Sequence, residues 1–322
     1  MQVIEDAWQL QDTVGPTVAT VGNFDGVHRG QQRVLETVRE RATSIGARAA
    51  VVTFEPHPLS ILRPERPPQR LTTRAQKREL IRRCDVDLMA IVHFTAAFAT
   101  TPASPFVEDF LCRRLGVAEL YVGSQFGFGH QREGNLALLQ ELGDRLGFRA
   151  MGVGEVRSSD EVISSSRIRQ AIRDGAVAAA NSMLGRAFAI TGEVVRGEGR
   201  GKDQGWPTIN IEPDHEILPA DGVYASQVWI PTRDKVFGAV TNIGSRPTFP
   251  GSENRVLEAH LFDFGREVYG ERVELSFVER LRGERRFPSA TELVQQIGRD
   301  ATEAREYLAR QDCSSLVPTL SV

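Results

Sequence analysis

The sequence predicts two domains, a parallel α/β domain followed by a small antiparallel β-barrel that ends in one helix. Three observations predict it. Short β-rich runs alternate with helix-period segments from residue 17 to about 172; the pattern changes near "NSMLGRAF" (181–188); and beyond it strand follows strand across Gly and Pro turns. The boundary is placed after residue 184, giving domains over 1–184 and 185–310 and a flexible tail over 311–322. A chain of 322 residues can bury two such cores.

The first half is read element by element. "TVATV" (17–21), "ARAAVVTF" (47–54), "DLMAIVHF" (87–94), "AELYVG" (118–123) and "AMGVGEV" (150–156) are short, β-rich and bounded by polar residues or glycine, as buried strands are. Between them, apolar residues recur every three or four positions around Val34/Leu35/Val38/Ala42, Phe106/Phe110/Leu111 and Leu136/Leu139/Leu142/Leu146, as on amphipathic helices. This alternation predicts a sheet covered on both faces, with ligands beyond the C-terminal strand ends. In the second half, "FAITGEVV", "GVYASQVWI", "VFGAVTNIG", "RVLEAHLFDF" and "ERVELSFVERL" read as successive strands, and one helix is expected at about 289–309.

Composition narrows the function classes. The 39 basic and 42 acidic residues leave a net charge of −3, which gives no basis for binding nucleic acid or an anionic membrane surface. Lysine occurs only at Lys77, Lys202 and Lys235, so arginine is the background cation and one arginine says little about phosphate. Cys84, Cys112 and Cys313 are widely spaced, without a metal-ligand pattern or a disulfide framework, and are read as reduced. No apolar run approaches the roughly 18 residues of a membrane span, and "MQVIEDAWQL" is unlike a signal peptide, so a cytoplasmic location is expected.

Two segments of the first half carry chemistry. In "VGNFDGVHRGQQ" the glycines permit tight turns that bring main-chain amides close to phosphate oxygens, and His28 lies near a helix start that favours an anion. A plain strand-to-helix turn with His28 as a cap is the alternative. "ISSSRIRQAI" (163–172) sets three hydroxyls ahead of Arg167 and Arg169 at a second helix start, against which stands an ordinary serine cap.

"TVGNFDGVHRG", "TFEPHP", "YVGSQFGFGHQREG" and "ISSSRIR", in this order and spacing, resemble the adenylyltransferase module of prokaryotic bifunctional riboflavin kinase/FAD synthetases, with the likeness running from about residue 15 to 310. The resemblance implies a nucleotidylyltransferase-like (Rossmann-like) α/β fold that transfers AMP from ATP to FMN and makes FAD. It implies nucleotide-binding roles for Gly22, Phe24, Gly26, Gly30, Gln31, Gln125, Ser165, Ser166 and Arg169, with His28 catalytic. Gln31 stands where the family's His-x-Gly-His motif has its second histidine, Gln125 where Asp or Asn is usual, and Gly127 where arginine is common. A glutamine amide donates a hydrogen bond but cannot neutralise charge developing on phosphate, and losing one such stabiliser costs about 10²–10³ in turnover. A riboflavin kinase with a slow or inactive adenylyltransferase module is therefore the alternative. His57 is read as structural or flavin-adjacent, and Phe126 with Phe128 as core or flavin pocket.

In the second half, "GEVVRGEGRGKDQGWPTINI" (192–211) joins a glycine run to a rigid "WPT". Gly197, Gly199, Gly201 and Gly205 would let amides fold round a polyphosphate, as they would also build a hairpin loop. Thr208 and Asn210, two apart on an extended strand, place two oxygens on one side, where one Mg²⁺ could meet both. "PTIN" resembles the Pro-Thr-Ala-Asn motif of riboflavin kinases, and "LPADGVYA" and "TNIGSRPTF" resemble segments of its barrel and flavin site. By that resemblance Glu258 is the base that takes the proton of the ribityl 5′-hydroxyl, ATP is the co-substrate, and riboflavin, FMN and FAD are substrates and products. Arg196 and Gln204 depart from the usual histidine and leucine at positions without a chemical role. A flavin-binding regulator is a third reading, opposed by the intact Thr208, Asn210 and Glu258.

Overall fold

The computed structural model describes residues 1–123, 126–197, 206–247 and 253–310. Gln125, Gly199, Gly201, Gln204, Gly205 and the 311–322 tail lie outside the described residues. The chain forms two compact units, one of Met1–Gln69 with Lys77–Ile163 and the other of Arg70–Gln76 with the chain from Ser164 onward.

The first unit is built on parallel strands β1 (Gln2–Ile4), β2 (Thr17–Val21), β3 (Arg48–Glu55), β4 (Leu88–His93), β5 (Val117–Gly123) and β6 (Arg149–Val153), in the order β1-β4-β3-β2-β5-β6. A two-residue pair, β7 (Arg157–Ser158) and β8 (Glu161–Val162), stands apart from this sheet. Both sheet faces are buried, which is why the strands read as continuous Val, Ala and Ile runs. On one face Phe106, Phe110, Leu111 and Leu139 pack against Val21, Val52 and Leu120. On the other, Leu35 and Ile81 pack with Val51 and Met89, while Val38 and Ala42 meet Val18 and Tyr121. The segment expected to be an amphipathic helix around Phe106 is wound as a π-helix, Phe106–Arg114.

Strand order reverses at β2, which has β3 on one side and β5 on the other. Ligand crevices of open parallel sheets form outside such a point. The segment 22–28 leaves β2 there and enters α1 (Arg29–Ile45).

The second unit is a closed antiparallel barrel of β9 (Phe188–Val195), β10 (Ile209–Pro213), β11 (Gly222–Ile230), β12 (Lys235–Pro247), β13 (Glu253–Leu261) and β14 (Arg272–Arg282), in the cyclic order β10-β13-β12-β11-β14-β9. Alternate residues fill it: Ile190, Ile211, Tyr224, Val228, Ile243, Leu257, Leu275 and Phe277 are buried. One polar pair lies among them, Ser226 Oγ and Thr241 Oγ1 at 2.5 Å. The opposite parity faces outward, where Val223, Ala225 and Val240 take up Ala301, Ala304 and Leu308 of the C-terminal helix Ala290–Arg310.

The helices Ser165–Arg173 and Val177–Leu184 belong to this unit. Asn181 ties the second of them to the barrel, donating from Nδ2 to Phe277 O (2.9 Å) and accepting from Phe188 N (2.7 Å).

Candidate active sites

On the barrel, strand register brings together residues that are far apart in sequence. Asn210 pairs with Glu258, and Glu258 pairs with Asn242, so the three form one row across β10, β13 and β12. Their neighbours Ile209, Ile211, Leu257 and Ala259 point into the core, which leaves the row on the outer face. Thr208, two residues before Asn210, lines a cavity of about 410 Å³ with Asn242, Glu258, His260, Glu284 and Phe287.

Asn210 holds the most informative atom of this face. Its Oδ1 is buried and has no hydrogen-bond partner among the described residues. A buried acceptor of this kind costs about 1–3 kcal/mol unless a ligand satisfies it. Gly197 closes over the same side chain, since a Cβ there would fall 2.1 Å from Asn210 Nδ2. Thr208 and Asn210 offer a cation a hydroxyl and an amide oxygen, and among the described residues no three His, Cys, Asp or Glu side chains gather as a metal site. Such hard oxygens fit Mg²⁺, which holds few protein ligands and completes its shell with water and substrate phosphate.

The surround of the cavity is held firmly. His260 Nδ1 lies 2.8 Å from Pro207 O and its ring meets Trp206 edge-on at 4.9 Å, which fixes the segment that carries Thr208. Arg282 donates to buried Asp300 from Nε (3.1 Å) and Nη2 (2.7 Å), clamping the C-terminal helix to the end of β14. Glu284 enters beside Gly244, where a Cβ would fall 2.3 Å from its Oε1. Sequence reasoning did not single out Asn242, His260 or Glu284. Asn242 becomes visible only through register, and Glu284 sits in "RGERRF", which reads as a solvated charge run. Arg196, expected to have no chemical role, lies over the Tyr269 ring at 5.0 Å.

In the first unit the 22–28 segment is strained and buried. Phe24 and Val27 have φ of 49° and 40°, yet they are 3% and 1% exposed and belong to the core. Left-handed backbone in non-glycine residues is costly and concentrates at functional segments. Gly22 lies against the Phe24 ring, with 3.2 Å from a would-be Cβ to Cε2, and Gly26 adopts φ 90°. His28 is the cap residue of α1, its Nδ1 accepting from Gln31 N (3.4 Å), while Gln31 Oε1 accepts from His28 N (3.1 Å). Gly30 leaves room for that imidazole, since a Cβ would stand 3.2 Å from its Cε1 and Nδ1.

The other expected residues fall into place individually. His57 is a cap, accepting from Leu59 N (3.1 Å). Phe126 and Phe128 stack at 5.4 Å, and Phe128 packs on Phe106 within the core. Gly127 faces the guanidinium of Arg132, with 2.9 Å from a would-be Cβ to Nε. Arg132 and its neighbour Gln131 both have left-handed backbone (φ 60° and 50°), a strain that sequence reasoning did not anticipate. Ser164 caps the helix Ser165–Arg173 through Arg167 N (3.3 Å). Arg169 is buried midway along that helix, which lies in the second unit.

The FAD synthetase family matches residues 10–167 and the riboflavin kinase family matches residues 184–308. A bifunctional riboflavin kinase/FMN adenylyltransferase of Escherichia coli K12 is 39% identical over 290 residues, covering 90% of this chain and 92% of that one. The protein of the same description from Haemophilus influenzae is 34% identical over 307 residues, covering 95% and 99%. A solved structure named as a macrolide-efflux protein from Streptococcus pneumoniae is 28% identical, with TM-score 0.86, covering 97% of this chain and 99% of that one. Fold and matches together define a nucleotidyltransferase-like α/β unit and a riboflavin-kinase barrel in one chain. The chain belongs to the bifunctional riboflavin kinase/FMN adenylyltransferase family. Among the described residues no helix is long and apolar enough to cross a membrane.

Proposed function

We propose that the barrel phosphorylates riboflavin to FMN with ATP and that the α/β unit joins FMN to the AMP of a second ATP, releasing pyrophosphate and FAD. Family membership supports both activities, and the observation that carries the kinase site is the row Asn210–Glu258–Asn242 with its buried, unpartnered Asn210 Oδ1. Thr208 and Asn210 would hold Mg²⁺, which when bound offsets charge on the transferring phosphoryl group. Glu258 accepts the proton of the attacking 5′-hydroxyl, and a carboxylate can do so without moving its strand. Gly197 keeps the main chain close enough to cover Asn210. In the first unit His28 and Gly30 approach the ATP phosphates at the positive end of α1, and Gly22, Phe24, Gly26 and Gln31 shape the segment that leads there. By the resemblance of "ISSSRIR", Ser165, Ser166 and Arg169 of the second unit are phosphate-binding residues as well. The functional domains run over 1–184 and 185–310, and a cytoplasmic setting suits a chain read as having reduced cysteines.

Purified protein supplied with riboflavin, ATP and Mg²⁺ should yield FMN and then FAD by chromatography. FMN without FAD would remove the second activity, and absence of both would remove the reading altogether.

A further inference from the structure

Position 31 combines three observations. Its main-chain N–H is accepted by His28 Nδ1 at 3.4 Å, its side-chain Oε1 accepts the His28 main-chain N–H at 3.1 Å, and Gly30 between them leaves room for the imidazole, a Cβ there standing 3.2 Å from its Cε1 and Nδ1. This is a reciprocal helix-start cap with histidine in the place usually held by serine, threonine or aspartate. An imidazole whose Nδ1 accepts a hydrogen bond carries its proton on Nε2, across the ring. The cap therefore sets both the place of the histidine and the nitrogen that can donate.

We propose that Gln31 is a positioning residue for His28: its side-chain carbonyl pins the His28 main chain, so that Nδ1 is held to the helix and Nε2–H is turned away from it. Glutamine suits this position because glutamine and glutamate at the third helical residue can fold back to the cap residue's N–H. Phe24 and Val27, strained and buried just before His28, leave the chain little freedom of its own there, so loosening the cap is felt at the imidazole. For catalysis the inference rests on the adenylyl transfer proposed above; for the contact itself it does not.

The test uses the full chain with Gln31→Met, which removes the acceptor, and Gln31→Glu, which keeps it; circular dichroism confirms that each variant is folded. Hydrogen exchange is read at the His28 amide, and FMN-to-FAD turnover is measured with ATP and Mg²⁺. The Met variant should exchange at His28 about tenfold faster and lose about five- to tenfold in kcat, with each KM changing less than about twofold. The Glu variant should restore protection and most of kcat. Unchanged protection in the Met variant overturns the contact, and lost protection with unchanged kcat overturns the positioning role. A parent chain that makes no FAD overturns the adenylyltransferase reading and the kinetic role with it, while the exchange arm still decides the contact.

Discussion

On the barrel, residues of one parity along each strand make the core, and those of the other are left for Asn210, Glu258 and Asn242 on the outer face. In the first unit His28 and Gln31 use their polar atoms to start a helix, and Phe24 and Val27 of the same segment are core residues. A strand separates scaffold from chemistry by the direction of its side chains. A strand-to-helix loop assigns both to the same residues. Substitutions on the barrel face should thus change activity without stability, whereas substitutions in the loop should change both.

The largest expected effect tests that separation directly. Glu258→Gln should lower FMN formation by about 10²–10⁴ while the unfolding midpoint stays within a degree or two. Asn210→Ala should lower it by about 10² or more, and its stability should hold or rise because a buried oxygen without a partner has been removed. Initial rates and thermal unfolding on the same preparations give the answer; a marked loss of stability in either variant would break the comparison.

A buried polar residue of the same unit that belongs to the scaffold supplies the opposite case. His215 Nδ1 accepts from Thr191 N (3.3 Å) and its Nε2 lies 2.7 Å from Gln76 Oε1. Burial holds it down to about 4, against the smaller upward pull of Asp214 and Glu216, with Arg70 also lowering it. Unfolded histidine titrates near 6.5, so between the two values the unfolded chain binds the extra proton. The contribution is fully present above pH 6.5 and is lost as pH falls toward 4, roughly 3 kcal/mol in all. Denaturant midpoints across that range should fall in the parent, and the part due to His215 should vanish in His215→Gln.

Asn181→Ala should cost about 1–3 kcal/mol, because Phe188 N and Phe277 O would lose their partner. By the same contacts, a fragment that starts at Ser164 should unfold at higher denaturant than one that starts at Leu184. Equal midpoints would favour the shorter fragment as the complete barrel. The smallest effect is expected at Gly30→Ala, where the imidazole must give by a few tenths of an ångström. FAD formation should fall roughly tenfold, with a stability loss below about 1 kcal/mol.

Much of this was legible in runs and periods of apolar side chains. "TVATV" forms the strand Thr17–Val21 because burial on both faces leaves a continuous run, and the leucine series forms the helix Leu136–Leu146 because burial on one stripe leaves a period. Gln2–Ile4 left none, being three residues at a sheet edge. Thr208 and Asn210 could be placed on one side of a strand from spacing alone, but Asn242 beside Glu258 depends on how two strands align, which neither strand states by itself. Glutamine three residues after a cap is a readable signal; the alternative reading already has His28 as a cap, but it does not extend to the return bond from Gln31, because the usual residues of a reciprocal cap are Ser and Thr.

The bond between His215 and Gln76 spans 139 positions in the chain. A ribosome adding about 5–20 residues per second would release Gln76 roughly 7–30 s before its partner. For that interval Arg70–Gln76 exists as nascent chain without the fold it will join, while the strands β2 to β6 can already pair. The second unit therefore gathers a segment from early in the chain as well as its later part, and His215 finds Gln76 already made when it emerges.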